Sequence, residues 1–280
     1  MLKLRPSMLV ALCGSLLLAT SLTHAQTRAE CEKTYKPQTG QAGKDVIWVP
    51  TNDGLVERML RMAQVKSTDR VFDLGAGDGK IAIAAAKKFG ATAVGVEYNP
   101  EMATFAQCLV KAEGVSDKVR IIQGDIFQTD FTSASVVTLY LLPELNLKLR
   151  PTLLKMKPGT RVVSHSFLMD DWEPDERSNT NDGSAYLWIV PAQVDGTWTF
   201  TPQSGGEKFV AQLEQTFQQV KGTAQGKPLT SARLNGAEIE LTFVGDRGTS
   251  QLKGTVNGGR IDAIVTDSAN KQTRYTGTRS

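Results

Sequence analysis

Between residues 53 and 167 the spacing of apolar positions switches repeatedly between two periods. Leu55, Met59, Leu60, Met62 and Ala63 fall on one face of a helix over residues 54–64. Short apolar runs at 70–74, 92–97, 119–123, 134–141 and 161–167 have the length of buried strands. Helix-forming segments at 80–89, 100–112 and 143–156 lie between them. Pro143 suits the first turn of the last of these, and Lys157-Pro158-Gly159 stops it. Strands alternating with helices predict an α/β fold, a parallel sheet with helices on both faces. Residues 170–183 are polar and turn-rich and read as a loop over the end of that sheet. Residues 184–190 read as one more strand.

After Pro191 the period becomes two. Alternating segments stand at 197–201, 208–213, 218–224, 239–244, 252–256 and 261–265. Asn235-Gly236 and Asn257-Gly258-Gly259 are strong hairpin turns. The pattern predicts an all-β meander, either a small barrel or a curled sheet. It carries no catalytic cluster, and its alternating apolar residues are expected to form a core.

The first residues follow neither pattern. Lys3 and Arg5 precede an apolar run at 8–18, and Thr23-His24-Ala25 offers a small residue before Gln26. This is the build of a secretory signal peptide. A run of eleven residues falls short of the about 20 that a membrane span needs. The expected division is therefore a signal peptide (1–25), an N-terminal arm (26–45), an α/β domain (46–191) and an all-β domain (192–280). The mature chain is expected to be periplasmic or secreted, with no stable membrane span after cleavage.

Composition then narrows the chemistry. The chain of 280 residues is 40% hydrophobic and 22% charged, ordinary for a globular protein. Loss of Lys3 and Arg5 with the signal lowers the net charge from +3 to +1. No basic patch stands out, so no nucleic-acid partner is expected. Cys31 and Cys108 remain; in an exported protein they either pair or stay as separate thiols. His165 is the one histidine left, which excludes a multi-histidine zinc site, and no metal is expected.

Residues 71–80, Val-Phe-Asp-Leu-Gly-Ala-Gly-Asp-Gly-Lys, carry the strongest functional signal. A strand ends at Asp73, three glycines alternate, and a helix begins at once. Glycines permit positive φ and close approach of a ligand, and the helix start offers free N–H groups. The acids Asp73 and Asp78 would repel a pyrophosphate and favour a ligand with a cationic end, such as the sulfonium and amino groups of S-adenosylmethionine (SAM). Glu97 ends the next strand, 24 residues on, where a carboxylate can accept both ribose hydroxyls. Asp125, at the end of the third, suits an exocyclic adenine amine, with Ile126 and Phe127 covering a ring face. A nicotinamide site ranks last, because Gly79 follows Gly77 too closely for Gly-x-Gly-x-x-Gly and Asp78 has the wrong charge.

Residues 46–167 resemble the class I SAM-dependent methyltransferases. The resemblance rests on Asp73-Leu74-Gly75-Ala76-Gly77-Asp78-Gly79, on Glu97-Tyr98-Asn99-Pro100 and on Val49-Pro50-Thr51. It is nearest to small lysine methyltransferases of the type that modifies the ATP synthase c-ring. It implies a Rossmann-like, seven-stranded methyltransferase sheet with SAM across the strand ends. It implies Asp73, Gly75 and Gly77 at the methionine end, Glu97 at the ribose and Asp125 with Ile126 at the adenine, with Thr51, Ala76, Asp78 and Tyr98 as further cofactor-binding residues. Residues 140–143, Tyr-Leu-Leu-Pro, stand where many amine methyltransferases carry an Asn/Asp-Pro-Pro-aromatic motif. Tyr140 is the candidate for orienting an acceptor amine. The leading expectation is an exported SAM-dependent methyltransferase acting on a protein lysine or another amine. The alternative is an exported, non-catalytic binder of SAM or another adenosine-type ligand.

Overall fold

The computed structural model describes residues 26–245 and 248–280. The expected signal segment and its cleavage point lie outside the described residues. Helix α1 (Arg28–Thr34) comes first, with Thr27 and Glu30 forming a reciprocal capping box. Its Cys31 is disulfide-bonded to Cys108, so the two cysteines pair.

Helix α2 (Asp53–Met62) leads into the sheet. Strands β1 (Arg70–Leu74), β2 (Thr92–Glu97), β3 (Val119–Gln123), β4 (Val136–Leu139) and β5 (Arg161–His165) pair in parallel, in the order β3-β2-β1-β4-β5. Helices α3 (Lys80–Phe89) and α4 (Pro100–Ala112) join α2 on one face, burying Leu55, Met59, Ile81, Phe105 and Leu109 in one core. Helix α5 (Pro143–Leu153) covers the other, where Phe72, Leu149, Leu153, Trp172 and Trp188 form a second core. Cover on both faces explains why β1 and β4 are buried almost throughout rather than at alternate residues. The order reverses between β1 and β4, so a crevice opens at their carboxyl ends.

The segment 170–183 departs from expectation. It contains a strand, β6 (Glu176–Thr180), which pairs antiparallel with β7 (Gly183–Ile189) and completes a seven-stranded sheet. Glu-Arg-Ser-Asn-Thr forms an exposed edge, so no apolar alternation marks it.

Beyond it stands a closed barrel of eight antiparallel strands: β8 (Gly196–Pro202), β9 (Phe209–Thr216), β10 (Gln219–Ala224), β11 (Lys227–Asn235), β12 (Glu238–Gly245), β13 (Gly248–Asn257), β14 (Arg260–Thr266) and β15 (Gln272–Arg279). Each pairs with the next, and β15 returns to β8. Closure decides between the barrel and the curled sheet. The sequence pattern omits β11 and β15 because each buries a single residue, Leu234 and Gly277. Inward side chains, among them Trp198, Phe200, Phe209, Leu241, Phe243 and Ile261, fill the interior, as an eight-stranded barrel allows. The barrel rests on the α/β unit through Trp172, whose ring stacks on Phe217 at 5.9 Å and whose Nε1 donates to Gln218 Oε1 at 3.0 Å. Among the described residues no helix is long and apolar enough to cross a membrane.

Candidate functional site

At the carboxyl ends of β1, β2, β3 and β4 lies a cavity of about 710 Å³, a volume suited to a small organic ligand. Thr51, Asp73, Gly75, Ala76, Gly77, Asp78, Glu97, Tyr98, Asp125, Ile126 and Tyr140 all line it. Phe127 does not. Its ring packs against the core around α5, with Lys148 Nζ at 3.9 Å from its centroid.

The loop after β1 turns through positive φ at Gly75 (+82°) and Gly77 (+54°). Gly75 and Ala76 both donate their N–H to Val96 O at 2.9 Å, which ties the loop to β2. Glu97 accepts from Gly77 N at 2.9 Å through Oε2 and from Asn99 N at 2.8 Å through Oε1. A carboxylate has about four lone-pair sites, so capacity remains for ligand hydroxyls. Burial pushes its pKa up, against the pull of those N–H groups.

Asp73 is the most unusual group here. Its Oδ1 accepts from Thr138 Oγ1 at 2.6 Å, while Oδ2 is buried with no partner. Burial above all, with the charges of Asp78 and Glu97, pushes its pKa up to about 7. A buried polar atom without a hydrogen bond is costly. A cationic group laid against Asp73 would satisfy Oδ2 and favour the ionised carboxylate. Asp78 is also buried and raised, although its Oδ1 accepts from Lys80 N at 3.2 Å at the start of α3.

Beside Asp73, past the end of β4, the lining of the cavity becomes aromatic and apolar. Tyr140 stacks on His165 with centroids 3.7 Å apart, and Phe167 lies 6.2 Å from Tyr140. Leu142 and Leu145 complete this wall. His165 Nδ1 is 3.1 Å from Thr51 Oγ1, and burial pulls its pKa down to about 4, so the ring is neutral near pH 7. Lys80 Nζ donates to Thr51 O at 3.1 Å and pairs with Asp53 at 3.0 Å, so Thr51 is held at both ends.

Sequence reasoning missed several of the residues around this cavity. It gave His165 no role beyond excluding zinc. It gave the arm none at all, yet residues 41–48 supply a wall. Lys44 Nζ pairs with Asp125 Oδ2 at 2.8 Å, which holds the Asp125 carboxyl below its usual range. The Trp48 indole lies over Gly77, where a Cβ would meet Nε1 at 2.5 Å. A tryptophan three residues past the polar arm, just before Val49-Pro50-Thr51, was the signal available. Among the described residues no group of three or more histidine, cysteine or acidic side chains is arranged to hold a metal ion.

Comparison with known proteins meets this geometry. Residues 73–176 match the ANTKMT methyltransferase domain. A protein-lysine N-methyltransferase of Saccharolobus islandicus is 44% identical over 151 residues, covering 52% of this chain and 94% of that protein. The human lysine N-methyltransferase of the ATP synthase c-subunit is 32% identical over 148 residues, covering 52% of this chain and 62% of that protein. The crystal structure of an RNA methyltransferase from Salinibacter ruber, in complex with S-adenosyl-L-homocysteine (SAH), superposes with a TM-score of 0.51 at 46% identity. It covers 52% of this chain and 96% of that one.

Proposed function

Since the chain belongs to the SAM-dependent methyltransferases of the ANTKMT-domain family, we propose that it methylates protein lysine side chains and does so outside the cytoplasm. The observation that carries the acceptor assignment is the pairing of two kinds of lining in one cavity. Buried carboxylates, with Asp73 Oδ2 unpartnered, suit a cation, and Tyr140, Phe167, Leu142 and Leu145 form an apolar wall of the same cavity.

The residues fit the cofactor. Asp73 would take the cationic methionine end, Glu97 the ribose hydroxyls, and Asp125 with Ile126 the adenine. When bound, SAM supplies an electrophilic methyl group on a positively charged sulfur. The chain itself needs to bring a neutral amine into line and keep water out, and positioning is the larger part of such catalysis. A lysine ammonium entering an apolar wall is favoured to lose its proton, because burial disfavours the charged form. Tyr140, stacked on His165 and near Phe167, would orient the nitrogen. The names of the relatives agree with a lysine acceptor. An RNA acceptor would call for a basic surface, and the sequence shows no such patch.

Two features support the location. The segment 1–25 has the build of a signal peptide. The Cys31–Cys108 disulfide suits an oxidising compartment. The test is transfer of labelled methyl from SAM to extracytoplasmic protein and to RNA in parallel, followed by mass spectrometry for methyl-lysine. Label in methyl-lysine is the expected result, and label confined to RNA overturns the acceptor assignment. Recovery of the chain in the cytoplasm with residues 1–25 intact overturns the location.

A further inference from the structure

The arm before Val49 folds into a small hairpin. Gly40 N donates to Trp48 O at 2.8 Å, Trp48 N to Gln41 O at 2.9 Å and Gly43 N to Val46 O at 2.8 Å, with Ala42 bridged to Ile47. This hairpin stretches over the cavity from the loop after β1 to the end of β3. The Trp48 indole covers Gly77 at one end. Lys44 reaches Asp125 at the other, with its Nζ 4.8 Å from the Tyr98 centroid. It lies outside residues 73–176, so the family match assigns it nothing.

What holds the hairpin in place is a short chain of contacts leading back to a covalent bond. Gln41 Nε2 donates to Tyr35 Oη at 2.6 Å, and Gln41 Oε1 accepts from Gln38 N at 2.7 Å. Tyr35 packs on Phe105 of α4 with centroids 5.8 Å apart. One turn back along α1, Cys31 is bonded to Cys108 on the same helix α4. The root of the hairpin is thus pinned covalently, while its tip is held by an exposed ion pair of the kind that opens readily.

We propose that residues 41–48 are a working wall of the cofactor site, with Lys44 and Trp48 as cofactor-site residues, and that the Cys31–Cys108 bond pins this wall so that the oxidised chain retains cofactor and the reduced chain lets it go. The inference rests on the SAM reading of the cavity. A wall already ordered when ligand arrives costs less to immobilise, which raises affinity. Reduction by a dithiol proceeds by attack of its thiolate on one sulfur of the pair, the other leaving as thiolate. The two electrons and two protons end on Cys31 and Cys108, and the dithiol becomes a cyclic disulfide. The root of the hairpin then keeps its non-covalent contacts, among them those of Tyr35 and Gln41, and loses the covalent one. Cofactor exchange becomes sensitive to the thiol poise around the protein.

The test is calorimetric titration of the chain from Gln26 onward with SAH: oxidised, after dithiothreitol, as Cys31→Ser/Cys108→Ser, and as Lys44→Ala. Hydrogen exchange of residues 40–48 is followed in each. Loss of the bond is expected to weaken SAH binding about tenfold and speed exchange in the hairpin, and Lys44→Ala to weaken it about threefold. Phe243→Ala, inside the barrel, controls for general loss of stability and should leave SAH affinity unchanged. If affinity and hairpin exchange stay the same once mass spectrometry shows the bond gone, the pinning is overturned while the SAM reading stands. If the oxidised parent itself fails to bind SAH, the SAM reading falls and takes the inference with it.

Discussion

The crevice of the α/β sheet and the interior of the barrel are both built from strands, but they treat polar groups in opposite ways. Asp73, Asp78, Thr138, Ser164 and His165 are all buried on or beside the strands of the sheet, and Asp73 Oδ2 has no partner. Inside the barrel Trp198, Phe200, Phe209, Leu241 and Phe243 interdigitate, and the charged residues of the same strands face solvent. A parallel strand ends where its crossover leaves the sheet, and that end cannot be closed by another strand. An antiparallel meander that returns to its first strand closes completely. The first geometry leaves polar groups waiting for a ligand, and the second spends its interior on stability.

Substitutions in the two regions should therefore move different observables. The largest effect is expected from Phe243→Ala, which removes a fully buried ring and should cost about 3–5 kcal/mol of barrel stability. Thermal melts should register it while SAH affinity stays within about twofold, since the ligand cavity lies elsewhere. A matching drop in affinity would show that the barrel shapes the site. Gly75→Val should do the reverse. At φ +82°, with the new Cβ 3.0 Å from Leu141, it should weaken cofactor binding by more than about 100-fold while the barrel melts unchanged.

Glu97→Ala is expected to cost about 1.5–3 kcal/mol of cofactor affinity, the range for hydrogen bonds to a charged group. The fold should survive, although Gly77 N and Asn99 N lose their acceptor. Full affinity in a folded variant would refute the ribose assignment.

The smallest effect is a pH dependence. Asp73 has a folded pKa of about 7 against 3.8 unfolded, so the stability it contributes is full below the unfolded value and lost as pH climbs to about 7. Ligand binding runs the other way, because only the ionised carboxylate attracts a cation. SAH affinity should rise between pH 6 and 7.5 by less than about tenfold per unit, then level off once the carboxylate is ionised. Asp73→Asn should bind more weakly and flatten the rising limb. A rising limb that persists in that variant would assign it to another group.

The same contrast accounts for what could be read from sequence. Buried parallel strands are short, mostly apolar runs that sit between helices, so β1 to β5 announce themselves. Asp73, Glu97 and Asp125 are legible because a carboxylate at the end of an apolar run has no packing reason to be there. Strands β6, β11 and β15 were hidden because their pairing is satisfied by backbone while their side chains mostly face water. The hairpin at 41–48 was hidden for a different reason. Lys44 and Trp48 act on the site through partners 81 residues and 29 residues further along the chain, Asp125 and Gly77, and no local period encodes such contacts. The disulfide was visible only as two cysteines, since its formation depends on α1 lying against α4.

Closure of the barrel bears on how the protein behaves when crowded. A closed sheet has no open hydrogen-bonding edge to offer another chain. The seven-stranded sheet has two edges, β3 and β6. Glu176 and Arg177 put charge along the exposed β6 edge, which discourages strand addition. Strand β3 reads Val-Arg-Ile-Ile-Gln, with Arg120 as its one charge. In concentrated refolding, intermolecular pairing should therefore begin at residues 119–123, and a second charge in that strand is the change that would keep the chains apart.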